Sequence, residues 1–124
     1  MRFASVRLVT KDVDRLAQFY EMVTRVLANR LAPGFAEIRL EGATLAISAE
    51  ELVVRFNGGA AIAGANRSAM IEFEVDDVDA MQLRLGDAEI VMAPTDMPWG
   101  NRSMLVRDPD GNVVNLFARL NRAN

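Results

Sequence analysis

The chain has 124 residues, 51% of them apolar, and a formal net charge of −3, which is the composition of one soluble globular domain with its own core. The lack of cysteine excludes a disulfide framework and a thiol nucleophile, and the lack of histidine argues against zinc hydrolases, Ser-His-Asp hydrolases and histidine-ligated iron oxygenases. The negative net charge argues against a nucleic-acid partner. The apolar runs are too short for a membrane segment, and charged residues near the N-terminus argue against a secretory signal, so we predict a cytoplasmic protein.

The first half of the chain predicts one strand, one helix and three further strands. Apolar and polar residues mostly alternate over residues 2–10, which is typical of a strand. Thr10 or Asp12 is suited to cap a helix, and apolar residues then recur at steps of three and four until about Val26. Three short strands are predicted over residues 28–32, 34–40 and 43–48, with turns at Pro33-Gly34 and Glu41-Gly42.

The second half repeats this order after a linker. Residues 57–67 are rich in Gly, Ala and Asn and carry no clear period, so we interpret them as the linker. An alternating stretch over residues 68–75 predicts a strand, and helical spacing over residues 76–85 predicts a helix. The last three strands are predicted over residues 89–93, 102–107 and 112–119.

A short internal repeat indicates that the chain is a duplication. Lys11–Leu16 aligns with Asp76–Met81 at an offset of 65 with three identities, and each copy lies between a predicted strand and a predicted helix. Chance similarity, or a pair of ferredoxin-like halves, would also give such a pattern. We predict a single domain over residues 1–124, built from one module over about 1–56 and a second over 68–124.

Near the C-terminus the sequence carries a recognisable motif. The segment Pro98–Leu116 contains Trp99-Gly100, then Arg102, then the run RDPDGN over residues 107–112. This resembles the C-terminal signature of the glyoxalase/bleomycin resistance protein/dioxygenase superfamily, also called the vicinal oxygen chelate superfamily. The opening that ends at Phe19-Tyr20 is similar to the start of the same family. The resemblance implies an α+β fold of two tandem βαβββ modules, whose curled mixed sheet forms a ligand cup, and it implies a homodimer.

The run Asp108-Pro109-Asp110-Gly111 has the residue types of a tight turn. Proline fixes φ, aspartate bonds its own backbone and glycine accepts a positive φ. We therefore predict that Asp108 and Asp110 are turn residues and not catalytic acids.

At the positions of the family's metal ligands the sequence departs from the pattern. Metal-dependent relatives typically carry His, Gln or Glu there, whereas the aligned positions here are Ser5, Ala46, Met70 and Asn115. A divalent ion needs several convergent anionic or imidazole donors, which these side chains do not supply. We predict no metal and no other cofactor, which argues against glyoxalase I, epimerase, extradiol dioxygenase and fosfomycin-transferase activity.

Strand alternation selects the residues that line the implied cup. Arg7 shares the face of Ser5, and Glu72 shares the face of Met70. Arg7 and Glu72 occupy equivalent positions, so they either form an ion pair or hold the two ends of a polar ligand. Trp99, in the loop before the seventh strand, either stacks on a ligand or anchors a lid. The predicted ligand-binding residues are Arg7, Phe35, Glu37, Met70, Glu72, Trp99, Asn115 and Phe117.

Three classes of function fit these residues. The first is a metal-independent protein that binds a hydrophobic or aromatic small molecule, as in antibiotic sequestration by bleomycin-resistance proteins. The second is a cofactor-free lyase or isomerase, in which Glu72 or Glu37 is the base and Arg7 stabilises developing negative charge. The third is a module that only associates with other proteins. We favour binding, because the family's electrophile is lost and no strong nucleophile replaces it.

Overall fold

The computed structural model describes residues 1–120. The chain divides into two compact units between Asn66 and Arg67. We call them module 1 and module 2 and describe each by itself. The described chain contains eight strands and three helices, which confirms the predicted α+β class and the βαβββ order of each half. The elements are β1 (Ser5–Thr10), α1 (Val13–Thr24), β2 (Asn29–Ala32), β3 (Phe35–Arg39), β4 (Thr44–Ala49), α2 (Glu50–Phe56), β5 (Met70–Glu74), α3 (Val78–Arg84), β6 (Glu89–Asp96), β7 (Asn101–Arg107) and β8 (Val113–Arg119).

Module 1 is a four-stranded mixed sheet in the order β1-β4-β3-β2, in which β1 and β4 are parallel and the other pairs antiparallel. The α1 helix begins at Asp12, whose side chain accepts a hydrogen bond from the backbone N–H of Arg15. Its apolar stripe buries Leu16, Tyr20 and Val23 almost completely. The core of this module therefore comes from one helix face and the alternate strand residues Leu8, Ala36, Ile38, Leu45 and Ile47.

Module 2 repeats this plan. Its sheet has the order β5-β8-β7-β6, and β5 and β8 are again the parallel pair. Asp77 caps α3 by accepting from the backbone N–H of Ala80, just as Asp12 caps α1. The two caps stand at the offset of 65 that the sequence repeat predicts. Buried residues on one side of the sheet and on α3 form the core: Val78, Met81, Leu85, Met104, Val106, Val114 and Leu116.

One helix and several element ends differ from the prediction; β1, for example, begins at Ser5 and not at Arg2. The helix α2 was not predicted, because it has seven residues, no side-chain cap and only Val53 buried. The α1 helix ends at Thr24, because Arg25 takes a left-handed conformation with φ 58°, a role usually filled by glycine. β6 continues through Pro94 to Asp96. A proline is tolerated there since β6 is an edge strand, whose outer N–H groups need no partner in the sheet.

Within residues 1–120, every helix is too short and too polar to cross a bilayer.

Candidate functional site

The first candidate surface is the Arg7 face of the module 1 sheet, meaning Arg7 and the residues on its side of β3 and β4. Arg7 lies opposite Ala46 on β4, and Ala46 lies opposite Glu37 on β3. The Arg7 guanidinium carbon is 5.8 Å from the centroid of the Phe35 ring, within the range of a cation–π interaction. Arg7 also donates from Nη2 to Oδ1 of Asn57 at 3.0 Å. The structure thus brings Arg7 and Phe35 together and adds Asn57, which the sequence placed in a featureless linker.

Glu37, the third predicted residue of this face, forms an ion pair with a residue of its own strand, Arg39. The Arg39 guanidinium donates from Nε to Oε1 of Glu37 at 3.1 Å. Exposed pairs of this kind contribute little to stability. The charge of Glu37 is nevertheless matched by a cation, so Glu37 is a weaker candidate for a ligand contact or a base than an unmatched carboxylate would be.

The second candidate surface lies on the module 2 sheet, on the side away from buried Val114 and Leu116. Glu72 lies opposite Asn115, and Asn115 lies opposite Leu105 on its other side. Asn115 donates from Nδ2 to Oε2 of Glu72 at 2.9 Å. In the two neighbouring rows, apolar side chains lie beside Ser103 and beside Glu74 and Arg107, which are both in ion pairs. We call this surface the Glu72 face; its members are Met70, Glu72, Glu74, Ser103, Leu105, Arg107, Val113, Asn115 and Phe117.

Four of the eight predicted ligand residues therefore share the Glu72 face: Met70, Glu72, Asn115 and Phe117. Leu105 was missed, although the alternation of β7 combined with a correct register would have found it. Arg7 and Glu72 each bond partners within their own module. Their suggested pairing stays a prediction.

The amide of Asn115 is only half satisfied. Its Nδ2 bonds Glu72, but its Oδ1 is buried and has no hydrogen-bond partner among the described residues. Such an atom costs about 1–3 kcal/mol relative to a satisfied one. An apolar side chain at this position would avoid that cost. The orientation of the amide is nevertheless chemically required, because the opposite orientation would point an oxygen at a carboxylate.

Trp99 lies in the turn between β6 and β7 and is 72% exposed. This exposure argues against the interpretation of Trp99 as an anchor packed on the sheet. The turn is held by backbone bonds from Met97 to Asn101 and from Gly100 to Met97. The indole is therefore presented to solvent from a well-connected turn, next to the Asp96 end of β6.

Arg102, which the sequence marked only as a motif residue, ties this turn to α3. Its guanidinium makes two bonds to the carboxylate of Asp79 and one to Asp96, each at 3.0 Å. The hydrogen bond from Arg102 lowers the pKa of Asp79 below its ordinary value of 3.8. The two carboxylates in turn raise the pKa of Arg102. Arg102 is thus a bidentate clamp between the first turn of α3 and the strand that leads into the Trp99 turn.

We expect Arg102→Gln to loosen the Trp99 turn without unfolding the protein, because glutamine cannot bridge both carboxylates. The steady-state fluorescence anisotropy of Trp99, the single tryptophan, should fall in this variant. Arg39→Gln, which removes an exposed ion pair in module 1, is the matched control and should leave it unchanged. Equal anisotropy in all three proteins would contradict a clamping role.

The same clamp predicts a pH dependence. Because the pKa of Asp79 is lowered in the folded state, its contribution is present above the ordinary value of 3.8 and is lost as the pH falls through the lower folded value. The anisotropy of wild-type Trp99 should therefore hold from neutral pH to about 3.8 and fall only below it.

The Asp108 turn joins β7 to β8, as the sequence predicts. Asp108 is 4% exposed, and its carboxylate accepts from the backbone N–H groups of Asp110 and Asn112 and from Nδ2 of Asn112. Gly111 takes φ +86°. These three bonds hold the turn together, so the geometry supports a structural role.

The four positions aligned with metal ligands do not suit a metal ion. Ser5 lies diagonal to Ala46 in module 1, and Met70 lies diagonal to Asn115 in module 2. Alanine has no donor atom, a thioether is a soft ligand, and the Asn115 amide directs its N–H₂ group at Glu72. No group of three or more His, Cys, Asp or Glu suitable for an ion is found within residues 1–120. The residues present therefore do not fit the family's metal.

A separate cavity of about 660 Å³ lies in module 1, between the start of α1 and the β2–β3 turn. Of the predicted ligand residues, Phe35 alone lines it. Charged side chains of both signs surround it, among them Lys11, Asp14 and Glu51. The cavity is therefore distinct from the Glu72 face.

A family profile and solved structures both relate this chain to the family that the C-terminal motif resembles. The profile of the Glyoxalase/Bleomycin resistance protein/Dioxygenase superfamily matches residues 2–116. A solved glyoxalase/bleomycin resistance protein/dioxygenase from Nocardioides is 25% identical with a TM-score of 0.79, over 100% of this chain and 87% of that one. A search of curated protein sequences finds no match.

Two further solved structures show the fold alone. A glyoxalase/bleomycin resistance protein/dioxygenase family enzyme from Burkholderia phytofirmans PsJN is 19% identical with a TM-score of 0.81, over 94% of this chain and 97% of that one. A glyoxalase-related enzyme from Fulvimarina pelagi is 20% identical with a TM-score of 0.81, over 95% of this chain and 88% of that one.

Proposed function

Because the chain belongs to the glyoxalase/bleomycin resistance protein/dioxygenase superfamily, we propose that it uses this fold to bind a small organic molecule without a metal ion and without turning it over. Shared fold alone does not determine activity, so the proposal rests on the side chains present. The homodimer and the cytoplasmic location that the sequence suggests are part of this proposal.

The observation that carries the proposal is the composition of the Glu72 face. Met70 is 46% exposed, and Leu105, Val113 and Phe117 are partly exposed around the Glu72–Asn115 pair, while the charges of Glu74 and Arg107 in the neighbouring rows are matched by ion pairs. Binding sites for organic molecules typically combine apolar walls with a few placed polar groups. An exposed aromatic ring at Trp99 offers a further stacking surface in the same module.

The donor chemistry at the four aligned positions supports binding over metal-assisted catalysis. Metal-dependent members of such a fold need an ion to polarise the substrate. Ser5, Ala46, Met70 and Asn115 are poorly suited to hold one, for the reasons given above. The reactions that depend on that ion are therefore not proposed for this chain.

The test is a thermal-shift screen of the purified protein against planar aromatic metabolites and antibiotics, with and without Zn²⁺, Mn²⁺ and Ni²⁺. A compound present at 100 times its Kd adds about 2.7 kcal/mol, which raises the melting temperature by several degrees. We expect a shift with organic compounds that is independent of metal. A shift that requires metal would overturn the proposal.

A second candidate function is a cofactor-free lyase or isomerase with Glu72 as the base. One observation favours it: Oε1 of Glu72 has no recorded hydrogen-bond partner within residues 1–120 and is available to accept a proton. Any compound that shifts the melting temperature should therefore be incubated with the protein and followed by NMR. Recovery of the unchanged compound supports binding, whereas a new product that disappears in Glu72→Gln supports the enzyme.

A further inference from the structure

We propose that the molecule bound at the Glu72 face carries a cationic N–H donor, such as a protonated amine, beside an apolar group. Glu72 binds the cation, and Asn115 is a positioning residue that holds the Glu72 carboxylate in place. This inference rests on the proposed binding function and names the chemistry of its ligand.

In module 2, most of the charges on the strands are paired. Its strands carry four carboxylates, and three of them pair with an arginine. Glu72 is the exception: within residues 1–120 its hydrogen-bond partner is the neutral amide of Asn115, at 2.9 Å. An unmatched carboxylate attracts a cation. The three matched pairs are Glu74 with Arg119, Glu89 with Arg107, and Asp96 with Arg102.

Apolar side chains surround the Glu72 carboxylate on its sheet face. Met70, Val113, Phe117 and Leu105 lie next to the Glu72–Asn115 pair, and the two charged residues of the same rows, Glu74 and Arg107, are already in ion pairs. A bound apolar group would remove water from the carboxylate. Glu72 is exposed in the absence of a ligand. Removal of water by a bound group strengthens an ion pair at Glu72 and penalises a neutral or anionic ligand, which would leave the desolvated carboxylate unmatched. The surface therefore selects for an amphiphilic cation.

The amide of Asn115 contacts the Glu72 carboxylate directly. Its buried Oδ1 has no hydrogen-bond partner within residues 1–120, so the residue is unfavourable for stability alone. Its Nδ2 donates to Oε2 of Glu72. Within residues 1–120, Oε1 of Glu72 has no hydrogen-bond partner and can accept from a ligand. A carboxylate at position 115 would repel Glu72 at this distance, and an apolar residue would release it. The neutral amide therefore does not repel the Glu72 carboxylate, and its N–H group fixes the orientation of that carboxylate.

The experiment compares three probes of the same shape on the full chain: tryptamine, its alcohol analogue tryptophol and its carboxylate analogue indoleacetate. Affinities are measured by isothermal titration calorimetry at low salt. Contact with the surface is followed by the methyl NMR signal of Met70, assigned with Met70→Leu. We expect tryptamine to bind about tenfold more tightly than tryptophol, and indoleacetate most weakly, because only the amine supplies an ion pair.

Variants assign the effect to its residues. Glu72→Gln should bind tryptamine and tryptophol about equally, because the ion pair is lost. Asn115→Leu should keep or raise the melting temperature and reduce the preference for the amine. Glu89→Gln, whose carboxylate already pairs with Arg107, is the matched control and should keep the full preference.

The possible failures are distinguishable. If wild type binds the amine and the alcohol equally, the cation inference is wrong while the binding function stands. If no probe binds and none shifts the Met70 signal, the cation inference is overturned, and the thermal-shift screen alone decides the binding function. A preference for the amine that survives in Glu72→Gln removes Glu72 from the site. A full preference in Asn115→Leu removes the positioning role of Asn115.

Discussion

Asp108→Ala is expected to lower the free energy of unfolding by about 2–4 kcal/mol, because it leaves several hydrogen-bond donors of a buried turn without an acceptor. The lost acceptor serves the backbone N–H groups of Asp110 and Asn112 and the side chain of Asn112, which is itself 5% exposed. Urea unfolding followed by circular dichroism measures the change.

The same turn provides the control. Asp110 has the same side chain, but its buried Oδ2 has no recorded partner, so Asp110→Ala should change stability by less than about 1 kcal/mol. If Asp108→Ala were as stable as wild type but lost binding of a ligand found in the thermal-shift screen, Asp108 would belong to the site and not to the turn. Similar destabilisation by both variants would mean that the loop as a whole, and not the Asp108 carboxylate, determines stability.

Tyr20→Ala is expected to cost about 3–5 kcal/mol, the usual range for removing a large buried aromatic ring. Tyr20 is fully buried in α1 and packs edge-to-face on Phe19, with ring centroids 5.1 Å apart. The loss comes from the removed ring contacts and from the cavity that remains. Thermal and urea unfolding of the variant should therefore show a large fall in the midpoint, with module 1 affected first in hydrogen exchange.

Two further variants in α1 isolate the contribution of the ring. Met22, on the same helix, is 40% exposed, so Met22→Ala should change stability by less than about 1 kcal/mol. Tyr20→Phe keeps the ring and separates its packing from the hydroxyl group. A small effect of Tyr20→Ala, comparable to that of Met22→Ala, would contradict the assignment of Tyr20 to the core.

Much of the fold follows from the sequence because its periods are strong. The helical spacing around Leu16 and Tyr20 and the aspartate caps at 12 and 77 are local signals, and the structure has both caps. The α2 helix was missed because Val53 is its only buried residue and Ala49 provides no side-chain cap. The extension of β6 through Pro94 was missed because a proline is compatible with a strand only at a sheet edge, and edges depend on topology.

The candidate site was predicted only in part, for a related reason. Strand alternation correctly places Glu72 with Met70, and Asn115 with Phe117. The contact between Glu72 and Asn115 depends on the register of two parallel strands more than forty residues apart in sequence, which no local pattern specifies. The same register decides which groups can reach Glu72 and Asn115. The sequence alone therefore could not predict that Glu72 has a neutral amide and no cation as its partner, or that Oδ1 of Asn115 has no partner within residues 1–120.

The sheet order of module 2 also constrains when the protein can fold during translation. β8 lies between β5 and β7, yet it is the last of the four strands to be synthesised. Until the ribosome has released β8, β5 has no neighbour in its sheet, and the side chains of Phe73 and Met104 lack their cross-strand partner Leu116. At ordinary elongation rates this interval lasts on the order of seconds. A nascent chain that stalls before Val113 therefore exposes apolar surface and an open sheet edge, and is a natural substrate for chaperones.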